Sequence, residues 1–474
     1  MEERRMKLSP AQLARVDGYL HSRRDAMVGT LCRLVAVESV SHDTPDPACP
    51  FGPGCRAALD EMGRICAEKG LTMQNHDNFC GSVRWGQGER ELGIFSHLDV
   101  VPAGPGWSGD PFVPVVENGF VRGRGAIDNK AGAVVGLYAI ECLRALDIPL
   151  HHAVRLFFGC SEEDMMTDIL YYGEQVGWPE FSLVPDAVFP AAFAEKGICA
   201  GYFTSGPVAR EIRSLRAGTV TNAVAGECVI TLSARHYPRL FACRTDRVEV
   251  TCDGDEAVVR AQGLSAHASR PHQSINAIAL AFDLLLEAGV LDGEEREAVA
   301  FWDGCLHDFY GGPLGIALDR GEYGELTIIG GTASLEEGRF RFGFNCRYPA
   351  GDSCGRIVPL LEQAAAAHRF ALSVEEGVDG FCLSPDHPVV AAMTAVANEL
   401  TGEQRRPYLM KGATYCRSIP NAIPFGPEMD QDAPAFPVGR GGIHQADESM
   451  SVNELINAVK IYVAALVELD AMLE

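Results

Sequence analysis

The sequence predicts an α/β protein, built as a mostly parallel sheet with helices on both faces and interrupted by an inserted α+β domain. Short apolar runs alternate with amphipathic segments at both ends of the chain, as in parallel sheets with crossover helices. Residues 195–382 between them are β-rich, and 474 residues exceed one ordinary core. We therefore predict one domain from residues 1–194 and 383–474, and a second from residues 195–382.

The first segment begins with helical patterning over residues 9–40, followed by a second helix over residues 57–69 and a strand over residues 82–85. Residues 92–95 form a short apolar run, with Gly88 before it and Pro102 after it, which predicts a buried strand. His97 then leaves that strand at its carboxyl end, where active sites of open α/β sheets collect.

Carboxylates follow the next predicted elements. Asp128 lies between a Gly-Arg-Gly turn and a buried helix over residues 131–146, as either a helix cap or a ligand. Glu162 and Glu163 follow a strand over residues 152–158. Adjacent acids repel unless a positive group lies between them, so this segment is either a solvated loop or a metal site.

Another carboxylate, Asp186, lies among apolar residues and fits either a surface turn or a buried acid with a partner. In the insert, residues 339–345 alternate polar and aromatic, which predicts a strand with one wet and one buried face, and residues 275–286 predict a covering helix. The last segment again has the strand and helix patterns of an α/β domain, with His444 in a Gly-rich loop and a closing helix over residues 452–469.

Composition excludes several classes of function. The 40 basic and 64 acidic residues give a net charge of −24, which argues against nucleic acid or an anionic membrane as partner. The N-terminus has no signal-like apolar segment and no stretch has the length of a membrane span, so we expect a cytoplasmic protein. The sixteen cysteines are scattered without a C-x-x-C pair, which predicts buried free thiols.

Several of these side chains are nitrogen and oxygen ligands that zinc, manganese and cobalt prefer, with Asp99 beside His97 as a carboxylate that could orient the imidazole. A hydrogen-bonded histidine at a strand end is the alternative for that pair. Two ions about 3.5–4 Å apart can share a carboxylate and lower the pKa of a bound water from about 15.7 to about 7. The candidate ligands are His97, Asp128, Glu163, Asp186 and His444.

An ordered set of motifs spans nearly the whole chain: S-H-L-D-V-V-P-A-G, W-x-x-D-P-F, G-R-G-x-x-D-N-K, S-E-E, P-D-A-x-F-P with A-E-K-G, G-x-S-A-H-A-S-x-P, R-Y-P and H-Q-A-D-E. In this order they resemble the aminoacylase/carboxypeptidase G group of dinuclear metallopeptidases, and within it the PepV-type dipeptidases. The set is specific, although each motif alone is not.

The resemblance assigns roles to the metal-site residues. It implies that Asp128 bridges two divalent ions, that Glu162 is the general base and later the acid that protonates the leaving amine, and that Asp99 orients His97. His97 and Asp186 would complete one ion's ligands, and Glu163 and His444 those of the other. Zinc is the favoured ion, with manganese or cobalt as alternatives.

The resemblance also implies substrate contacts. His267 matches the inserted-domain histidine that stabilises the oxyanion, although taken alone it reads as a loop histidine. Asn222 and Arg347 match positions that bind the substrate's oxygen and its terminal carboxylate, for which a guanidinium is suited; Arg347 could equally be a surface charge. Gly412 and Thr414 belong to the corresponding substrate loop.

Three positions depart from the family pattern. Asn129 replaces a commoner aspartate, and we expect the Asp128–Asn129 peptide to be cis as in the family. Ala413 replaces a glycine of the substrate loop, and Val188 stands where a glutamate is frequent.

The function that the resemblance implies is a metal-dependent dipeptidase that hydrolyses small unblocked peptides, with the insert as a lid. We expect a monomer, with a homodimer as the alternative. A deacylase of N-acyl amino acids or of succinyl-diaminopimelate would use the same site, and an inactive peptide-binding protein is a more remote alternative.

Overall fold

The structure, a computed structural model, describes residues 7–268, 271–428, 436–437 and 439–474. The described chain divides into two compact units, one from the described parts of Met1–Phe193 and Leu383–Glu474, the other from those of Ala194–Cys382. The division lies within one residue of the boundaries expected from the sequence. That the second unit acts as a lid stays a prediction.

The helices and strands fall into three segments of the chain. Up to the first boundary they are α1 (Pro10–Ser22), α2 (Arg24–Val35), α3 (Pro53–Glu68), β1 (Met73–His76), β2 (Cys80–Trp85), β3 (Glu91–His97), β4 (Val115–Glu117), β5 (Phe120–Arg122), α4 (Lys130–Ala145), β6 (Ala153–Gly159), α5 (Thr167–Gln175), β7 (Phe181–Val184), β8 (Ala187–Val188) and β9 (Ala192–Glu195). The insert contains β10 (Gly197–Pro207), β11 (Ile212–Ala217), β12 (Glu227–Ser233), α6 (Tyr237–Ala242), β13 (Val248–Asp253), β14 (Glu256–Gln262), α7 (Ala277–Ala288), α8 (Gly293–Leu306), β15 (Thr327–Glu336), β16 (Arg339–Tyr348), α9 (Cys354–Ala367) and β17 (Phe370–Val378). The last segment contains α10 (Pro388–Thr401), β18 (Tyr408–Met410), β19 (Ala422–Pro424), β20 (Pro427–Glu428), β21 (Ser449–Ser451) and α11 (Val452–Leu473).

The first unit is built on a six-stranded sheet in the order β1-β2-β6-β3-β7-β19. The four strands β6, β3, β7 and β19 run parallel, whereas β1 and β2 are antiparallel additions at one edge. The predicted mostly parallel sheet is confirmed. Its parallel part matters for function, because it brings the carboxyl ends of four strands to one edge.

Helices cover both faces of this sheet, as the sequence predicts. On β3, Ile94 faces α4, where a Cβ added at Gly136 would lie 3.2 Å from Ile94 and Leu156, so the glycine permits close approach. The next residue, Phe95, points to the other face and stacks with Phe157 at a centroid distance of 5.0 Å. Tyr172 of α5 packs edge-on against both rings.

The helical patterning near the N-terminus resolves into two helices rather than one. Ser9 caps α1, because its hydroxyl accepts a hydrogen bond from the Gln12 backbone N–H while the Gln12 side chain accepts from Ser9 N. The chain leaves helical geometry at Arg23, which ends α1 and precedes α2. The closing helix α11 runs four residues beyond its predicted end.

The second unit is an eight-stranded sheet in the order β13-β14-β12-β11-β15-β16-β10-β17, and its pairings are antiparallel. Helices α7, α8 and α9 pack with it around a core that includes Phe203, Trp302 and Phe342. This arrangement of helices and an antiparallel sheet is the predicted α+β insert.

The prediction of one wet face for residues 339–345 is wrong beyond the start of the strand. Phe340, Phe342 and Phe344 are buried as expected, but Asn345 on the other face is buried too. The cause is tertiary: Asn345 pairs with Ile329, which joins Val224 and Ala268 in a second apolar cluster.

Two further expectations concern membranes and thiols. Within the described ranges, no helix combines the length and the apolar character needed to cross a membrane. All sixteen cysteines are free, and most of them are buried, which confirms the prediction of free thiols. Cys252 and Cys382 are exposed, contrary to the expectation of burial.

Candidate functional site

Three neighbouring parallel strands deliver candidate ligands to one edge of the first unit's sheet. β3 ends at His97, β6 runs into Glu162 and Glu163, and β7 ends two residues before Asp186. His97 Nε2 lies 3.8 Å from Asp186 Oδ2 and 3.9 Å from Glu162 Oε2. The parallel order therefore brings together side chains that are distant in sequence.

Asp128 stands at the centre of this group, just before α4. Its Oδ1 lies 3.1 Å from His97 Nε2, and its Oδ2 lies 3.0 Å from His444 Nε2. His444 Nε2 is also 3.0 Å from Glu163 Oε1. One carboxylate thus faces two imidazoles, one with each oxygen, which is the arrangement expected of a carboxylate shared by two ions.

Asp99 occupies the far side of the His97 ring. His97 Nδ1 is 3.0 Å from the Asp99 carbonyl oxygen and 3.3 Å from its Oδ1, and the backbone carbonyl makes the hydrogen bond. The Asp99 Oδ2 accepts a hydrogen bond of 3.0 Å from Glu163 N. Asp99 therefore contacts two candidate ligands, and with Nδ1 bonded to its carbonyl, His97 can offer Nε2 to an ion.

The electrostatics of the site are dominated by buried acids. Burial opposes charge on His444, but hydrogen bonds to Asp128 and Glu163 outweigh it and raise the pKa of His444 to about 11. Burial also opposes charge on His97, and Asp99 with its neighbours raises that pKa well above the ordinary value. Burial and the Asp128 charge raise the pKa of Glu163 to about 7. Without an ion, both histidines are therefore protonated at neutral pH.

The residues present fit a metal centre. Among the described residues, Glu162 Oε1 is buried without a hydrogen-bond partner, and His97 Nε2 is buried without a well-aligned one although Asp128 Oδ1 lies 3.1 Å away. A cation beside these two atoms would satisfy both. Two sets of donor atoms, each within 4.8 Å of one another, share His97: one adds Glu162 and Asp186, the other Asp128 and Glu163. Imidazole nitrogen with carboxylate oxygen is a donor set for zinc, manganese or cobalt.

The scaffold that holds Asp128 was not assigned from the sequence. Glu448 Oε1 accepts hydrogen bonds from the backbone N–H groups of Ile127 (2.8 Å) and Asp128 (3.1 Å), and its Oε2 accepts one of 2.5 Å from Arg124. Glu448 lies in the H-Q-A-D-E motif that also carries His444. That motif was a signal, but only the structure shows which group Glu448 contacts.

The same loop is anchored by Asp447. Its carboxylate accepts hydrogen bonds from Ser108 N (2.9 Å), Ser108 Oγ (2.7 Å) and Arg440 Nε (3.0 Å). Although burial acts to raise it, these donors lower the pKa of Asp447 to about 2. His444 itself has a φ of 58°, a left-handed conformation that this anchored loop maintains.

Asn129, the departure from the commoner aspartate, also has a defined place. The Asp128–Asn129 peptide is cis, which confirms that expectation. The Asn129 side-chain amide donates a hydrogen bond of 2.9 Å to Asp186 Oδ1 and another to the Pro185 carbonyl oxygen. An amide can donate to Asp186, whereas an ionised aspartate could only accept.

Two of the predicted substrate residues are adjacent in the second unit. Asn222 and His267 are both exposed, and Ala268 N donates a hydrogen bond of 2.9 Å to the Asn222 carbonyl oxygen. Ala223 and His267 form an isolated antiparallel bridge. Ser269 and Arg270, which follow in the G-x-S-A-H-A-S-x-P motif, lie outside the described residues.

The remaining predicted substrate residues have contacts within their own units. Arg347 lies on β16 with 7% of its surface exposed, and its Nε donates a hydrogen bond of 2.9 Å to Asn345 Oδ1, so the surface-charge alternative is wrong. Thr414 caps a short helical turn by accepting a hydrogen bond of 3.1 Å from Cys416 N. Gly412 lies two residues earlier and is partly exposed.

Comparison with known proteins agrees with this geometry. Residues 93–468 match the model described as "Peptidase family M20/M25/M40". The class defined by this match and the donor cluster is that of metal-dependent hydrolases. The chain belongs to peptidase family M20/M25/M40.

Individual relatives cover almost the whole chain. The "Putative dipeptidase YtjP" of Bacillus subtilis (strain 168) is 29% identical over 94% of this chain and 98% of its own. Human carnosine dipeptidase 1 has a TM-score of 0.58 at 16% identity, covering 98% of this chain and 100% of its own. The dipeptidase Dug1p of Saccharomyces cerevisiae has a TM-score of 0.59 at 11% identity, covering 98% and 99%. The two structures show a shared fold.

Metal binding is expected to release protons, because a cation needs neutral imidazoles and the metal-free histidines have raised pKa values. The sign follows: below the raised pKa the proton competes with the metal, so metal affinity increases with pH between about 5 and 8. Calorimetric titration of metal-stripped protein with Zn²⁺, in buffers of different ionisation enthalpy at pH 7, should show release of about two protons from the histidines and a further fraction from Glu163, whose pKa is about 7.

A His444→Asn variant should release fewer protons than the wild type. The control is His21→Asn, which changes a histidine whose side chain is 60% exposed and should leave the count unchanged. A wild-type titration without proton release would contradict the assigned protonation states.

Proposed function

We propose that this protein is a dinuclear, metal-dependent dipeptidase that hydrolyses small unblocked peptides. The observation that carries the proposal is Asp128, which faces His97 with one carboxylate oxygen and His444 with the other while Glu162 lies beside them. Membership of the family supports the proposal. So does the relative named "Putative dipeptidase YtjP", whose alignment covers 94% of this chain. We further propose a cytoplasmic monomer with neither nucleic acid nor membrane as partner, in line with the net charge of −24.

In this proposal the clustered donors hold two divalent ions. Asp128 would be shared, with His97 and Asp186 on one ion and Glu163 and His444 on the other. Zinc suits this mixed set, with manganese and cobalt as alternatives. When bound, such a pair would lower the pKa of a water and polarise the substrate carbonyl.

Glu162 is the proposed general base. Glu162 is 8% exposed and its Oε2 lies 3.9 Å from His97 Nε2, so a water in this cluster could pass its proton to Glu162. In the metal-free molecule, burial and the charge of Asp186 raise the pKa of Glu162 well above its usual range, which suits the acid half of the role. Divalent ions beside it would lower that pKa, so that the ionised carboxylate could first accept the water's proton. It would then deliver the proton to the leaving amine, the acid half of the same role.

The second unit would supply the groups that bind the peptide. His267 would donate a hydrogen bond to the oxygen that becomes negative during attack, and Asn222 on the adjacent segment would bind a substrate oxygen. Arg347 would bind the terminal carboxylate. These roles require that the second unit acts as a lid that brings the side chains to the substrate. Gly412 and Thr414 of the first unit are further proposed contacts.

The function is tested with metal-stripped protein resupplied separately with Zn²⁺, Mn²⁺ and Co²⁺. We expect hydrolysis of unblocked dipeptides to return with at least one ion, and N-acyl amino acids and succinyl-diaminopimelate to be poor substrates. Initial rates for each substrate with each ion measure the return of activity and the substrate preference. Preferential release of the acyl group from N-acyl amino acids would instead establish the deacylase, and binding without turnover would establish the inactive binding protein.

Replacing Glu162 with Gln should lower kcat by about 10²–10⁴-fold, because the amide cannot accept the water's proton. The metal content should not change, since Glu162 is not a proposed ligand. Steady-state kinetics and metal analysis of the same preparation check both. Glu174→Gln, at an exposed position of α5, is the control. Loss of metal together with activity would make Glu162 a ligand.

Replacing His267 with Gln should lower kcat for dipeptides by about 10²–10³-fold if its hydrogen bond forms mainly in the transition state. A change in KM alone would assign His267 to substrate binding instead. His307→Gln alters another histidine of the second unit, with a side chain 53% exposed, and should have wild-type kinetics.

A further inference from the structure

Glu428 is a carboxylate near the edge of the first unit where the proposed metal ligands meet. The proposed mechanism does not use it. It ends β20, which pairs in parallel with β8 so that Glu428 lies opposite Val188. Phe189 N donates a hydrogen bond of 2.9 Å to the Glu428 carbonyl oxygen, which secures this register. Asp186 immediately precedes β8, so Glu428 is one strand away from a proposed metal ligand.

The electrostatic surroundings place the Glu428 side chain with the acids of the site. Burial and the charges of Asp128 and Asp186 raise the pKa of Glu428 well above its usual range, and His444 opposes them. In the strand register Glu428 shares a face with Val188, which lies two residues after Asp186. The backbone pairing therefore places Glu428 beside the segment that follows Asp186, and the charges that act on it are those of the site's acids.

The neighbouring acids each have a protein partner in the described chain. Asp99 accepts a hydrogen bond from Glu163 N, Asp186 from the Asn129 amide, and Glu448 from Arg124. Glu428 has neither a hydrogen bond nor an ion pair from its carboxylate to any other described residue. A partly buried anion among like charges is costly unless a cation joins it.

The substrate of the proposed function has such a cation. An unblocked peptide has a free α-amino group with an ordinary pKa of about 7.7–8.0, so much of it is charged at neutral pH. Desolvating an ammonium requires a carboxylate beside it, and the N-terminal residue of a dipeptide places that ammonium close to the scissile carbonyl. N-acylation removes the charge.

We propose that Glu428 binds the free α-amino group of the substrate and so selects unblocked peptides over N-acylated ones. The inference rests on the proposed dipeptidase function and adds a specificity residue to that site. The ammonium would lie on the β8–β20 side of Asp186, away from β3. Glu428 is then a substrate-binding residue that takes no part in metal ligation or proton transfer.

The test removes the Glu428 carboxylate and the substrate's α-amino group, separately and together, and compares the effects on kcat/KM. Wild type and Glu428→Gln are compared on alanyl-alanine and on propionyl-alanine, which differs from it by lacking the α-amino group. We expect the wild type to prefer alanyl-alanine in kcat/KM by at least about 100-fold and the variant by less than about tenfold, because a desolvated charge pair couples strongly. The loss should fall on alanyl-alanine, and metal content should be unchanged.

Two further variants complete the design. Glu174→Gln removes an exposed carboxylate and should keep the wild-type preference. Glu428→Asp keeps the charge on a shorter side chain and should raise KM for alanyl-alanine without affecting propionyl-alanine. If Glu428→Gln does not fold, as judged by thermal unfolding, the aspartate variant carries the test by this KM difference.

The outcomes separate this inference from the function on which it rests. A wild type that prefers alanyl-alanine, with a variant of equal preference, overturns the role of Glu428 and leaves the dipeptidase intact. Equal losses on both substrates, or loss of metal, also overturn it, since Glu428 would then be a structural or ligating group. A wild type that cleaves only propionyl-alanine, or neither compound, overturns the dipeptidase proposal and this inference with it.

Discussion

The structure of the site depends on the position of one carboxylate, Asp128, between two imidazoles. Each of its oxygens lies about 3 Å from a histidine nitrogen, so a small shift would separate either His97 or His444 from it. A side chain alone could not maintain this placement, because its rotamers leave too much freedom. The backbone of Asp128 is therefore held as well, by a Glu448 carboxylate that accepts its N–H and is itself bound by Arg124.

This constraint joins the two ends of the chain. Asp128 and Glu448 are 320 residues apart, and the whole second unit is inserted between them. The loop that contacts Asp128 through Glu448 also presents His444, so docking of one segment completes both the scaffold and the donor set. The anchoring of that loop by Asp447 on Ser108 ties it to the first part of the chain again. The entropy of closing so long a loop grows only slowly with its length, and the insert is therefore tolerated.

Charge is the second theme of the site. Several buried acids meet there, and in the metal-free molecule the protons of His97 and His444 balance part of that charge. Cations that displace these protons would relieve the same repulsion, which is why metal binding and protonation are linked. Asn129 fits this balance, since it donates a hydrogen bond to Asp186 without adding another negative group. Glu428 adds a further carboxylate to this group, and the proposed substrate ammonium would balance its charge.

The sequence by itself determined the alternation of parallel strands and helices, the insert, and His97, Asp128, Glu162, Glu163, Asp186 and His444 as candidates, because hydrophobic period and ordered motifs are local properties of a chain. Only the tertiary structure decided which of these side chains meet, that Glu448 contacts the backbone of Asp128, and that Arg347 is buried. It also decided that Glu428 pairs opposite Val188, beside the segment that follows Asp186. These last facts arise from contacts between residues far apart in sequence, or from a strand of two residues, and neither leaves a periodic signal. Long-range pairing depends on how strands are ordered in a sheet, and local composition does not specify that order.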